Sequence, residues 1–183
     1  MSSDIIGALG IVEQIQKRIP RKSEEKDSDI SVGSVLAALN SFTDIVRYLN
    51  TRRSTGAILD LSNEAAVQDA LYLMLRPWIL DLVPETPTEK VANRFSIKDF
   101  VSKGGHFVIE AKFVRDASHG KSLAKEINDD IETYRYHPSC DDLIFFIYDP
   151  NGHIPDSASL ERHVRTSRSY DGRMLRCYGV IKP

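Results

Sequence analysis

The stretch FSIKDFVSKGGHFVIEAKFV, Phe95 to Val114, decides how the rest of the chain is read. It has the pattern of two β-strands, Phe95 to Ser102 and His106 to Val114, joined by a tight turn. Gly104-Gly105 is a hairpin signal because both central positions of such a turn accept positive φ. With these two residues as the loop, Lys103 faces His106, and every opposed pair sums to 209. Asp99 and Glu110 are such a pair, which puts their Cβ atoms roughly 4.5–5.5 Å apart on one face. Lys112, two residues after Glu110, shares that face, with Val108 and Val114 as neighbours. Phe107, Ile109, Ala111 and Phe113 form the opposite, core-directed face.

Two carboxylates placed directly opposite each other repel. A hard divalent cation such as Mg²⁺ resolves the repulsion, since it takes carboxylate oxygens and keeps several waters. A neighbouring lysine can then orient or deprotonate a metal-bound water, or stabilise charge on a phosphate. The plainer alternative is a half-buried sheet face carrying a Glu–Lys pair. The coincidence of register and the flanking apolar residues favour the site.

Composition sets the frame. A chain of 183 residues holds one ordinary domain with an appended segment. Its 42% hydrophobic and 27% charged residues are those of a soluble globular protein. The net charge of −2 carries no global basic signature, so nucleic-acid binding would need a local patch. Cys140 and Cys177 suggest neither a metal motif nor a disulfide framework, which fits a reducing cytoplasm. No apolar run approaches the ~20 residues of a membrane span, and the first twenty residues lack the basic start of a signal peptide. No Gly-rich phosphate loop, nucleophile elbow or zinc-type histidine spacing is present. The histidines at 106, 119, 137, 153 and 163 read as surface residues, with His106 at the hairpin edge within reach of a substrate.

Along the chain, Asp4 to Ile19 and Val35 to Leu49 have helical apolar spacing, separated by the charged linker PRKSEEKDS. These and TRRSTG form an N-terminal helical segment, residues 1–55, that caps the following domain or serves dimerisation. The remainder, 56–183, opens with a helix over Asn63 to Arg76, capped by Ser62 and stapled by Leu61. A short strand in WILDLV, the hairpin, a helix from Ser122 to Tyr136, a buried strand Leu143 to Tyr148, a helix Ser157 to Arg165 and a strand Met174 to Ile181 follow. Leu123, Ile127, Ile131 and Tyr134 form the buried stripe of the Ser122 helix. The result is an α/β fold, a mixed sheet with helices on both sides.

Asp99 followed, after ten residues, by Glu110-Ala111-Lys112 resembles the motif of the PD-(D/E)xK nuclease superfamily. The wider runs ETPTEKVANRFSIKDF, FVIEAKFVRD and EINDDIETYRYHPSCDDLIFFIYDPNG resemble its bacterial restriction-endonuclease-like domains, over roughly Glu85 to Gly152. Two departures stand out. Lys98 occupies the proline position of the motif, and Glu126 lies where relatives often carry Gln in the helix after the lysine. The resemblance implies an αβββαβ core, which agrees with the order of elements read from Asn63 onward. It implies a Mg²⁺-dependent endonuclease (Mn²⁺ substituting) that hydrolyses DNA phosphodiesters in a restriction or defence role. Asp99, Glu110 and the Ala111 backbone carbonyl would hold the metal. Lys112 would position the attacking water, and Glu64, with Asp69 second, would assist from the helix before the hairpin. Equally, Glu64 could serve only its helix dipole.

Lys98, Lys103, Arg115, Lys121 and Lys125 gather near the site in sequence; Lys103, Arg115, Lys121 and Lys125 are the expected phosphate contacts, foremost Lys121 and Lys125, one turn apart. Double-stranded DNA is the expected partner, and two cuts in a duplex favour a two-fold homodimer. The alternative is a catalytically inactive module that keeps the fold for nucleic-acid or protein binding.

Overall fold

The computed structural model describes residues 30–52, 56–84 and 100–183. The expected helix Asp4 to Ile19, the charged linker, Asp99 and the first half of the expected hairpin strand lie outside them. So does part of TRRSTG, at whose end the boundary between residues 55 and 56 was drawn. Residues 31–183 form one compact unit.

Six strands form one sheet in the order β1-β2-β3-β4-β6-β5. They are β1 (Leu82–Pro84), β2 (Phe100–Ser102), β3 (Phe107–Phe113), β4 (Asp142–Tyr148), β5 (Arg168–Tyr170) and β6 (Arg173–Lys182). β1, β2 and β3 pair antiparallel; β4 runs parallel to both β3 and β6, and β5 returns antiparallel to β6. From the helix Glu64–Leu75 to β4 the order is αβββαβ, as expected.

β3 is central and buried on both sides. Val108 and Val114 face the stripe Leu123, Ile127, Ile131 and Tyr134 of the helix that follows. Phe107, Ile109 and Ala111 are buried too, and Phe113 is half-buried. On the sheet, Phe42 meets Phe146 edge-on, ring centroids 4.8 Å apart, and Tyr72 stacks on Phe100 at 5.9 Å.

Several boundaries moved for local reasons. The expected helix Val35 to Leu49 is two, α1 (Val32–Asn40) and α2 (Phe42–Thr51), broken at Ser41. Asn40 Nδ2 donates to the Leu36 carbonyl and Ser41 Oγ to that of Ala37; such side chains compete with the backbone ladder. Helix α3 (Glu64–Leu75) is capped by Asn63, not Ser62: the Asn63 Oδ1 accepts from the Ala66 amide at 3.0 Å. Helix α4 (Ala117–Tyr134) starts a turn and a half early because Asp116 caps it, accepting from the His119 amide at 2.8 Å. Helix α5 is Ser157–Val164. The strand β5 was not expected. Asp171 and Gly172, at φ 48° and 82°, make a two-residue turn of the Asp-Gly kind.

The hairpin between β2 and β3 keeps its register and changes its turn. Phe100 opposes Ile109, Val101 opposes Val108 and Ser102 opposes Phe107, each pair summing to 209. The connection spans four residues, Lys103 to His106, and it is His106, not the glycines, that takes positive φ (52°). Asp81 fixes this turn: its carboxylate accepts from the Ser102 hydroxyl (2.8 Å) and the Gly104 amide (2.7 Å). Gly105 is required by close approach, since a Cβ there would stand 2.5 Å from the Phe107 ring.

Candidate active site

Glu110 and Lys112 point from β3 to the side that α4 covers. The Tyr134 hydroxyl, at the end of α4, donates a hydrogen bond to Glu110 Oε1. Lys112 Nζ lies 2.7 Å from Asp130 Oδ2, also on α4, and 3.6 Å from Glu110 Oε2. The Glu110 side chain is only 7% exposed and that of Lys112 15%. These four groups are tied to one strand and one helix, both anchored by core residues.

Their electrostatics follow from the count of charges. Two largely buried carboxylates share one ammonium. Burial pushes Glu110 up to about 7, a rise that Lys112 and the Tyr134 hydrogen bond only partly oppose. Burial raises Asp130 as well, against the pull of Lys112. For Lys112, burial acts to lower the pKa, but the Glu110 and Asp130 carboxylates outweigh it and hold the group above its usual value. Lys112 is therefore an ammonium, a donor with no acceptor capacity.

Lys112 also reaches a cleft of about 510 Å³ whose walls include Glu64, Arg115, His119 and Glu126. Glu64 stands at the start of α3 and its Oε2 accepts from the Phe113 amide at 3.3 Å, which ties the first turn of α3 to the end of β3. Glu110 lies behind Lys112 and is not part of the cleft wall. His119 is buried, a correction to its expected surface place. Its Nδ1 accepts from the Arg115 amide (3.3 Å), which leaves the proton on Nε2, facing Glu126 Oε2 at 3.2 Å. Ser122 Oγ lies 3.3 Å from the other Glu126 oxygen.

The structure thus brings together Glu64, Glu110, Lys112 and Arg115. Asp69 is exposed and apart from the cleft. Lys121 and Lys125 line a different cleft, between α4 and α5, of about 580 Å³. Lys103 sits in the β2–β3 turn, at the other end of β3 from Lys112, and His106 there faces Asp141 at 3.6 Å. Asp99 lies outside the described residues.

Sequence reasoning missed Asp130 and gave Tyr134 a purely core role. The available signal was helical spacing. Glu126, Asp130 and Tyr134 recur every four residues beside the stripe Leu123, Ile127, Ile131, which predicts a polar ridge along the edge of the buried face.

Among the described residues no group of three His, Cys, Asp or Glu is arranged to hold a metal ion. The chemistry still fits a hard cation. The oxygen donors are carboxylates, and Glu110 and Asp130 together carry more negative charge than the single Lys112 ammonium offsets. Among those residues no helix is long and apolar enough to cross a membrane.

Comparison with known proteins names the lineage. No curated protein and no solved structure matches the chain. The family model of the DpnII-MboI restriction endonucleases matches residues 34–175, from α1 through β5 and into β6. The mixed sheet, the αβββαβ order and the Glu110–Lys112 strand agree with that match, and the chain belongs to the DpnII-MboI restriction endonuclease family of the PD-(D/E)xK superfamily, as a restriction-type nuclease that cleaves DNA.

Proposed function

We propose that the chain hydrolyses phosphodiester bonds of double-stranded DNA with Mg²⁺, or Mn²⁺ in its place, at the site built on β3. The observation that carries this reading is the convergence of Glu110, Lys112 and Glu64 at the junction of β3, α3 and α4, with more carboxylate than ammonium charge. Glu110 would hold the metal with Asp99 and the Ala111 backbone carbonyl, and Glu64 would assist from α3. When bound, a divalent cation neutralises phosphate charge and activates water.

The chain's own groups do the rest. Lys112, held between two carboxylates, would donate hydrogen bonds to the attacking water or to a phosphate oxygen. Arg115, on the cleft wall, would meet a phosphate next to the cleaved one. Lys121 and Lys125 offer further phosphate contacts along the neighbouring cleft, and Lys103 serves only a duplex long enough to reach the other end of β3. Cutting both strands of a duplex suits a two-fold dimer.

The test is cleavage of plasmid and of matched single-stranded DNA by the full chain with Mg²⁺, Mn²⁺ or EDTA. Cleavage of the duplex that EDTA abolishes and Mg²⁺ restores is the expected result. Undiminished cutting in EDTA would overturn the metal-dependent reading.

A further inference from the structure

We infer that Asp130 and Tyr134, one turn apart on α4, are positioning residues for the two charged groups of β3: Asp130 aims the Lys112 ammonium and Tyr134 orients the Glu110 carboxylate. The inference rests on the site assignment just proposed and extends it to a second element.

The geometry is specific. Lys112 and Glu110, two residues apart on one strand face, are natural partners. Yet Nζ stands 3.6 Å from Glu110, at ion-pair but not hydrogen-bond distance, and 2.7 Å from Asp130. The helix carboxylate draws the ammonium off its strand neighbour. A lysine sits on a flexible four-carbon stem with many rotamers, so a fixed partner is what holds its tip in one place. On Glu110 the Tyr134 hydroxyl engages Oε1, and Oε2 is the oxygen on the Lys112 side.

Both partners are held by the core. Ile127 and Ile131, fully buried on the same helix, lie three residues before Asp130 and one after it, and the Tyr134 ring is itself buried. The two side chains therefore have little freedom, and their placement is transmitted to β3. A division of labour follows. The carboxylate that Tyr134 orients is the proposed metal ligand, so Tyr134 acts on metal affinity. The ammonium that Asp130 aims is the proposed donor in the reaction, so Asp130 acts on rate at saturating metal.

The test compares wild type with Asp130→Asn, Tyr134→Phe, Lys112→Met, the Asp130→Asn/Lys112→Met double variant and Glu110→Gln. Two quantities are measured on each full chain: single-turnover cleavage at saturating Mg²⁺ with enzyme in excess, followed for hours, and the Mn²⁺ concentration giving half the metal-induced rise in melting temperature. Asp130→Asn is expected to slow cleavage ~10–100-fold while its Mn²⁺ midpoint stays near that of wild type. In the Lys112→Met background the same substitution is expected to cost nothing further, because its target is gone. Tyr134→Phe is expected to move the Mn²⁺ midpoint upward ~10-fold with most of the saturated rate kept.

Losses that multiply in the double variant would make Asp130 merely structural and overturn its role. An unmoved Mn²⁺ midpoint in Tyr134→Phe would overturn that of Tyr134. Should Asp130→Asn fail to fold, Asp130→Glu replaces it, keeping the charge but shifting it by one methylene; cleavage at the wild-type rate would then sink the claim. If Glu110→Gln or Lys112→Met cuts like wild type, the site assignment itself falls. If both are inactive and Asp130→Asn cuts like wild type, only this inference falls.

Discussion

Two ends of the same strands carry buried acids, and they are balanced differently. At the start of β4, Asp142 is met by Arg176 of β6 through two short bonds, Nε to Oδ1 at 2.5 Å and Nη2 to Oδ2 at 2.6 Å, with the Tyr178 hydroxyl at 3.1 Å. One carboxylate has one guanidinium in fork geometry, and the hydrogen bonds raise Arg176 above its ordinary range. Beside it, Arg173 Nη2 reaches Asp141 and the Cys140 carbonyl at 2.9 and 2.8 Å. At the other end, among the described residues, Glu110 and Asp130 share the Lys112 ammonium, and the Tyr134 hydroxyl donates to Glu110. The first arrangement is complete as it stands and joins two parallel strands. The second sets two largely buried carboxylates against one ammonium, the imbalance on which the proposed metal site rests.

The largest effect expected from this contrast is on cleavage. Glu110→Gln should remove metal binding and cutting together, seen as loss of product and of the Mn²⁺-induced melting shift. Lys112→Ala should keep the melting shift and lose ~10²–10⁴ in single-turnover rate, the usual worth of a positioned proton-handling or electrostatic group. Were Glu110→Gln to cut normally, the two ends of the strands would be equivalent and the contrast void.

Next in size is stability at the balanced end. Asp142→Asn leaves Arg176 without its partner. Breaking a buried pair costs about 3–5 kcal/mol, and since the Arg176 side chain is half exposed, 51%, the low end applies. Denaturant melts should show that loss, with the cleavage rate per folded molecule unchanged. A drop in that rate would tie Asp142 to the reaction.

A smaller effect concerns pH. The folded-state pKa of Glu110, about 7, lies above the ordinary 4.5. A group raised on folding contributes stability that is present at low pH and lost as pH climbs through the folded value. Metal-free wild type should therefore lose stability relative to Glu110→Gln between pH 4.5 and about 7, and added Mn²⁺ should restore it above that range. Parallel melting curves of the two proteins across those pH values measure the difference. Curves that stay parallel would show Glu110 to be as well compensated as Asp142.

The hairpin shows how far local pattern reaches. Alternation and the Gly-Gly pair set the register, and Phe100–Ile109 to Ser102–Phe107 stand as the arithmetic required. The turn itself was not legible, because Asp81, some twenty residues upstream, dictates its shape. The Asp171-Gly172 turn was legible by the same local rule and went unread. Ser62 and Asn63 are both capping residue types standing side by side, and the cap falls to Asn63.

By itself the sequence determined the αβββαβ order, the buried strand LIFFIY, the face shared by Glu110 and Lys112 and the acidic residue opening α3. All of these follow from periods of two or 3.6 residues and from caps, which act within a few residues of chain. Tertiary structure alone decided that Asp130 pairs with Lys112, that Tyr134 holds Glu110, that His119 is buried against Glu126 and that Lys121 and Lys125 face another cleft. Those contacts depend on how far α4 is rotated about its axis as it packs on β3. That rotation is fixed by the joint burial of Leu123, Ile127 and Ile131 against Val108, Val114 and Phe145, a condition on the whole core that no short stretch of sequence contains.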